Sequence, residues 1–173
     1  HQDALRGSGV NKMSTIGFVG ASGLMGHGMA RHLLAKGHAL QITVNRNRER
    51  VADLLAAGAT LAATPAALAK SSDIVILCVT GSPQVEANLR GPDGVMASGK
   101  RGLIVIDCST SNPVSTLALG EELKDSGMTL VDAPLSRTPV EAEAGTLDTM
   151  VGCDDATLKA IEPVLRCWAG TVV

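Results

Sequence analysis

The sequence predicts an α/β fold, a doubly wound and mostly parallel sheet with helices on both faces. Three observations predict it. Apolar, β-branched runs alternate with helical segments along the chain. Two runs, 73–79 and 103–107, have continuously apolar interiors, as strands buried on both faces do. A glycine-rich turn, Gly20-Ala21-Ser22-Gly23-Leu24-Met25-Gly26, joins the first strand to the first helix. A length of 173 residues fits one domain, and a hydrophobic content of 45% is ample for its core.

The elements follow in order. An apolar run at 16–19 is the first strand, and the apolar period of 25–34 is the first helix. Residues 40–44 form a strand, and 48–57 a helix stopped by Gly58. Thr60 and Leu61 form a short strand. Thr64-Pro65 then opens a helix with a capping hydroxyl followed by proline at the first helical position. Strand 73–79 leads to a helix opened by Ser82-Pro83, and strand 103–107 to one opened by Asn112-Pro113 that runs to about Lys124. A strand at 128–132, a short helix at 139–144 and a strand at 146–151 come next. Asp154-Asp155 caps a helix to about Arg166, and 169–173 is a last strand. Residues 1–12 are polar, contain glycine and have no apolar signal core. Met13 reads as a natural start, so 1–12 are set aside as a leader and the domain is taken as 13–173.

A strand, a glycine turn and a helix N-terminus build an anion site from backbone N–H groups and the helix dipole. Glycine lets that backbone approach a pyrophosphate without Cβ atoms in the way. The predicted contacts are Gly20, Ala21, Ser22, Gly23, Leu24, Met25 and Gly26. The second strand ends in Asn45-Arg46-Asn47, where such a fold meets the adenosine ribose. A carboxylate there serves the 2′-hydroxyl of NAD, whereas an arginine suits the 2′-phosphate of NADP. The expectation is a Rossmann-type domain that prefers NADPH over NADH.

Ligands of parallel sheets bind beyond the carboxyl ends of the strands. That rule brings Val79 and Thr80 to the cofactor, and puts Ser109, Thr110 and Ser136 near the nicotinamide or substrate. Hydroxyls at strand ends also cap helices, the competing role for each. Asp107 and Asp132 are expected to bond the turns that follow them. His27 lies one residue after the last loop glycine. No partner for it is evident, and it reads as partly exposed surface.

Composition narrows the classes. A net charge of −2 gives no electrostatic reason for nucleic acid or an anionic membrane as partner. One Phe, one Trp and no Tyr leave little to stack on bases. The cysteines Cys78, Cys108, Cys153 and Cys167 form no C-x-x-C pair. They read as reduced core residues of a cytoplasmic protein rather than metal ligands.

Four blocks carry a resemblance that covers 13–173. They are Ile16-Gly-Phe-Val-Gly20 with Gly23-Leu-Met-Gly-His-Gly-Met-Ala30; Gly37-His38 with Asn45-Arg46; Asp107-Cys-Ser-Thr110 with Pro113; and Val131-Asp-Ala-Pro-Leu-Ser136 with Gly145-Thr-Leu147 and Met150-Val-Gly152. Together they resemble the β-hydroxyacid dehydrogenases, which include 3-hydroxyisobutyrate dehydrogenase and share the cofactor domain of 6-phosphogluconate dehydrogenase. The resemblance implies hydride transfer between NAD(P)H and a short semialdehyde or 3-hydroxy acid. It also implies a small-molecule carboxylate substrate and a full-length protein that is a homo-oligomer. Thr110 matches a cofactor-contacting threonine and Ser136 a substrate-contacting serine.

Three departures qualify the match. The glycine spacing is G-x-x-G-x-x-G, one residue longer than G-x-G-x-x-G. Arg137-Thr138 stand where the family has two glycines beside the substrate carboxylate. An arginine there pairs bidentately with a carboxylate or fills the pocket. The family's catalytic lysine lies in a segment beyond residue 173, with the helical domain that closes the site, so no catalytic residue is assigned within the chain. Two other readings compete. Imine reductases share the glycine loop and the Asn-Arg pair. A non-catalytic NADP-binding regulator related to the short-chain dehydrogenases is the other, since their Tyr-x-x-x-Lys chemistry is excluded by the absence of tyrosine.

Overall fold

The computed structural model describes residues 13–173 except Asn45, Ser111 and Arg137. Six strands form a parallel sheet: β1 (Thr15–Val19), β2 (Ala39–Thr43), β3 (Thr60–Leu61), β4 (Ile74–Leu77), β5 (Ile104–Asp107) and β6 (Thr129–Asp132). Their order is β3-β2-β1-β4-β5-β6. The chain crosses from β1 outward to β2 and β3, then returns to pair β4 with the other side of β1. That reversal between β1 and β4 is the switch point where open α/β sheets bind ligands.

Alternation within each strand divides the core into two layers. Ile16 and Phe18 of β1, Ile74 and Ile76 of β4 and Ile106 of β5 face one layer. There they meet Met29, Ala30 and Leu33 of α1 (Gly26–Ala35), Leu54 of α2 (Ala52–Ala56) and Ile161, Val164 and Leu165 of α7 (Asp155–Leu165). Val75 and Leu77 of β4 and Val105 of β5 face the other. They are covered by Leu68 of α3 (Pro65–Lys70), Val85 and Leu89 of α4 (Ser82–Leu89) and Leu119 and Leu123 of α5 (Pro113–Asp125). At Gly17 a Cβ would sit 2.1 Å from Leu68 Cδ2, so α3 rests almost directly on the β1 backbone.

Three of the predicted helix starts carry side-chain caps, while the one at Ser82-Pro83 has Gly81 at the cap position and none. The Thr64 hydroxyl accepts from Ala67 N–H at 3.1 Å, Asn112 Oδ1 from Val114 N–H at 2.9 Å and Asp154 Oδ1 from Thr157 N–H at 2.7 Å. Two helical details differ from expectation. The segment 48–57 begins as a 3-10 turn over Arg48–Val51 before α2, and Val95–Ser98 adds a second 3-10 turn.

The single continuous sheet is corrected beyond residue 132. β7 (Leu135–Ser136), β8 (Leu147–Thr149) and β9 (Ala169–Val172) form a separate three-stranded sheet. In it β7 is antiparallel to β8 and β8 parallel to β9. Pro134 lacks the N–H that would continue the β6 ladder. The connection from β7 to β8 holds only the six-residue α6 (Pro139–Ala144), shorter than a parallel crossover needs. A bridge between Asp132 and Gly152 links the end of β6 to the start of α7.

Candidate functional site

The carboxyl ends of β1, β2 and β4 open onto a cleft of about 960 Å³. Val19, Gly20, Ser22 and Gly23 form its floor, Thr43, Val44, Arg46 and Asn47 one wall, and Cys78, Val79 and Thr80 another. The sequence thus placed Gly20, Ser22, Gly23, Arg46, Asn47, Val79 and Thr80 at one site, and the structure brings all of them together there.

The three loop glycines meet different demands. Gly20 has φ +105, and a Cβ on it would lie 2.0 Å from the Cys78 carbonyl oxygen. A Cβ on Gly26 would lie 2.0 Å from the Gly20 carbonyl oxygen. These two are required by the turn itself. Gly23 is different. A Cβ there meets only the Gly20 carbonyl oxygen, at 3.2 Å, and otherwise points into open space. Its N–H donates to Gly20 O at 3.0 Å, and its carbonyl accepts from His27 N–H at 3.1 Å. Packing constrains glycine at 23 less than at 20 or 26, and its bare Cα leaves room for the close approach of a phosphate.

The start of α1 fits an anion. No side chain caps it, and no acidic residue lies in its first turn. The His27 N–H is taken by the Gly23 carbonyl, and the helix dipole favours negative charge at this end. Across the cleft, Arg46 is exposed and without a carboxylate partner among the described residues. No Asp or Glu occurs between Thr43 and Arg48. A glycine cradle and a guanidinium unpaired among the described residues therefore face one cleft, a donor set suited to the phosphates of a dinucleotide.

The remaining predicted contacts scatter. Ala21 is buried in the core, so only its backbone is available to a ligand. Leu24 is exposed and Met25 packs against the core, both in the loop but outside the main cleft. Thr110, Ser136 and Thr138 are exposed but do not line the cleft. Asn45 and Arg137 lie outside the described residues.

Ser109 is corrected. It is buried, its hydroxyl accepts from Val79 N–H at 2.9 Å, and the hydroxyl also reaches the Leu77 carbonyl at 3.5 Å. Its own N–H donates to Asp107 Oδ1 at 2.9 Å, the turn-forming bond expected of Asp107. Ser109 thus braces the end of β4 from behind, and its hydroxyl is not presented to substrate. Burial pushes the Cys78 thiol, with Asp107 nearby, up to about 12, so the one cysteine lining the cleft is no nucleophile at neutral pH. Burial likewise raises the Asp132 carboxyl above its ordinary value.

His27 is corrected as well. Partly exposed as expected, it has two partners: Nδ1 lies 2.6 Å from Glu143 Oε1 and Nε2 lies 2.7 Å from Asp53 Oδ2. Burial lowers its pKa, but the bonds to the two carboxylates outweigh that and raise it. Sequence reasoning also missed Ala63, Pro65, Gln84, Asn88 and the 90–94 turn, which complete the cleft. The strand-end rule, applied to β3 as well, would have found Ala63 and Pro65.

Comparison with known proteins agrees with this geometry. The NAD binding domain of 6-phosphogluconate dehydrogenase matches residues 15–173. A 2-(hydroxymethyl)glutarate dehydrogenase of Eubacterium barkeri is 36% identical over 159 residues, covering 90% of this chain and 51% of the relative. A 2-hydroxy-3-oxopropionate reductase of Escherichia coli is 35% identical, covering 87% of this chain and 51% of its own. The solved 3-hydroxyisobutyrate dehydrogenase of Mycobacterium tuberculosis superposes with a TM-score of 0.83 at 27% identity, over 94% of this chain and 54% of that one. The chain spans about half the length of the curated relatives it matches. Among the described residues no helix is long and apolar enough to cross a membrane. Covered almost from end to end by that match, the chain belongs to the family of the NAD binding domain of 6-phosphogluconate dehydrogenase, and its relatives are hydroxyacid dehydrogenases of the 3-hydroxyisobutyrate dehydrogenase type.

Proposed function

We propose that the chain is the NADP(H)-binding part of an oxidoreductase that moves a hydride between NADP(H) and a short semialdehyde or 3-hydroxy acid. The observation that carries the cofactor choice is Arg46, beyond the end of β2, without a carboxylate partner among the described residues and lining one cleft with the glycine loop. The substrate class is supported by relatives that are dehydrogenases and reductases of small hydroxy acids.

In this reading the N–H groups at the start of α1 hold the pyrophosphate, and the bare face of Gly23 lets it approach. Arg46, with Asn45 and Asn47, holds the 2′-phosphate. Val79 and Thr80 border the adenosine side, where Ser109 fixes the backbone of Val79. The bound nicotinamide would supply or accept the hydride. Thr110 contacts the cofactor, and Ser136, Arg137 and Thr138 orient the substrate carboxylate. None of the described cleft residues is a lysine, and we assign the proton donor to the family's lysine, outside 13–173. A positioned donor of that kind contributes roughly 10²–10⁴-fold.

Calorimetric titration with NADPH and then NADH tests the reading. Tighter binding of NADPH supports it. Equal affinity for both would remove Arg46 as the phosphate reader.

A further inference from the structure

Three basic side chains of α1 converge on one residue of α6. His27 meets the Glu143 carboxylate at 2.6 Å and Arg31 Nε donates to it at 3.1 Å. His32 Nε2 donates to the Glu143 carbonyl at 2.7 Å, and the Arg31 guanidinium donates to the same oxygen. The helices touch backbone to backbone, since a Cβ on Gly28 would lie 2.5 Å from the Ala142 carbonyl carbon.

Each end of this clasp leads to a functional segment. His27 follows Gly26 directly, in the first turn of α1. A hollow of about 250 Å³ continues from Ser22 and Gly23 past His27 to Glu143. At the other end, α6 begins at Thr138 through a capping box. Thr138 N–H donates to Glu141 Oε2 at 3.0 Å, and the Thr138 hydroxyl bonds the same carboxylate. Where α6 sits, Thr138 must follow.

We propose that Glu143 is a positioning residue: held by His27 and Arg31, it fixes Thr138, at the start of α6, to the first turn of the dinucleotide helix, so that dinucleotide binding orders the substrate side. This rests on the cofactor and substrate sides assigned under Proposed function. Exposed ion pairs contribute little to global stability, but a network between two helices selects one arrangement of them. The charged groups around His27 are Glu143 on α6, Asp53 on α2, Arg31 on its own helix and Arg50 across the hollow. Both bonded carboxylates favour the charged ring, so loss of its proton weakens the clasp.

Hydrogen exchange of residues 134–145, followed by mass spectrometry on this chain with and without NADPH, tests the proposal alongside an affinity titration. In the wild type NADPH slows exchange there, and Glu143→Ala removes most of that slowing, about threefold to tenfold, while still binding NADPH. His27→Gln gives a smaller loss and flattens the pH dependence of the slowing, which a merely structural contact would not do. Unchanged slowing in Glu143→Ala overturns the proposal. If the wild type binds no NADPH, the cofactor reading fails separately, and the ligand-free arm decides. Faster exchange confined to 134–145 in Glu143→Ala at pH 6.5 then keeps the clasp, and equal exchange removes it.

Discussion

The cofactor end and the substrate end of the molecule are built on different physics. The first stands on β1, paired on both sides and buried among large apolar side chains, and its proposed ligand groups are backbone N–H groups and one arginine. The second stands on β7, two residues long, and on α6, which packs through Ala142 against the backbone of α1 and adds a network of half-exposed ions. Backbone sites are fixed by glycine positions and strand order. Side-chain networks are fixed by residues far apart in the chain. Under the proposed reading the contrast means that the cofactor end is prebuilt, whereas the substrate end takes its position from the cofactor end.

The sharpest break of that contrast is within the glycine loop. Gly20→Ala forces a Cβ onto the Cys78 carbonyl at a positive φ and should cost more than about 3 kcal/mol in denaturant unfolding. Gly23→Ala should cost no more than about 1 kcal/mol in the same assay yet weaken NADPH strongly by calorimetry. If both variants lose only stability, Gly23 serves the turn and not a ligand.

Next in size is Arg46→Asp. It should weaken NADPH about 100-fold while leaving NADH within a few-fold, measured by parallel titrations. At the scaffold, Asn112→Ala removes the cap of α5 and should lower stability by about 1 kcal/mol without touching NADPH affinity.

The smallest effect belongs to pH and sharpens the substrate end. The pKa of His27 is raised in the fold, so its contribution is fully present below its unfolded value near 6.5 and is lost as pH rises through the raised value. Burial raises the pKa of Glu143, but its bonds to His27 and Arg31 outweigh that and hold it lowered. Its contribution is present above its unfolded value near 4.5 and is lost as pH falls through the lowered one. Thermal unfolding of His27→Gln against wild type should therefore converge as pH rises above neutrality, with the wild type more stable near pH 6. Parallel curves across that range would detach His27 from the clasp.

Legibility in the sequence followed the same divide. The strand and helix pattern, the glycine loop and the position of Arg46 were readable because each is local: period, turn residues and strand ends lie within a few residues of one another. The second sheet was not, because Leu135 and Ser136 are too short a run to signal a strand and Pro134 masks the break in β6. The partners of His27 were hidden because Glu143 lies 116 residues away. Ser109 shows the limit of the strand-end rule. The rule put a hydroxyl near the site, but only the fold shows that it faces the backbone of β4.

The most direct test of the central claim, that a prebuilt NADP(H) site occupies the cleft between the glycine loop and Arg46, is calorimetric titration of the wild-type chain with NADPH and NADH. NADPH at least about tenfold tighter than NADH is the predicted result, the size of one charge-assisted contact. NADH binding as tightly as NADPH, or neither binding, would contradict it.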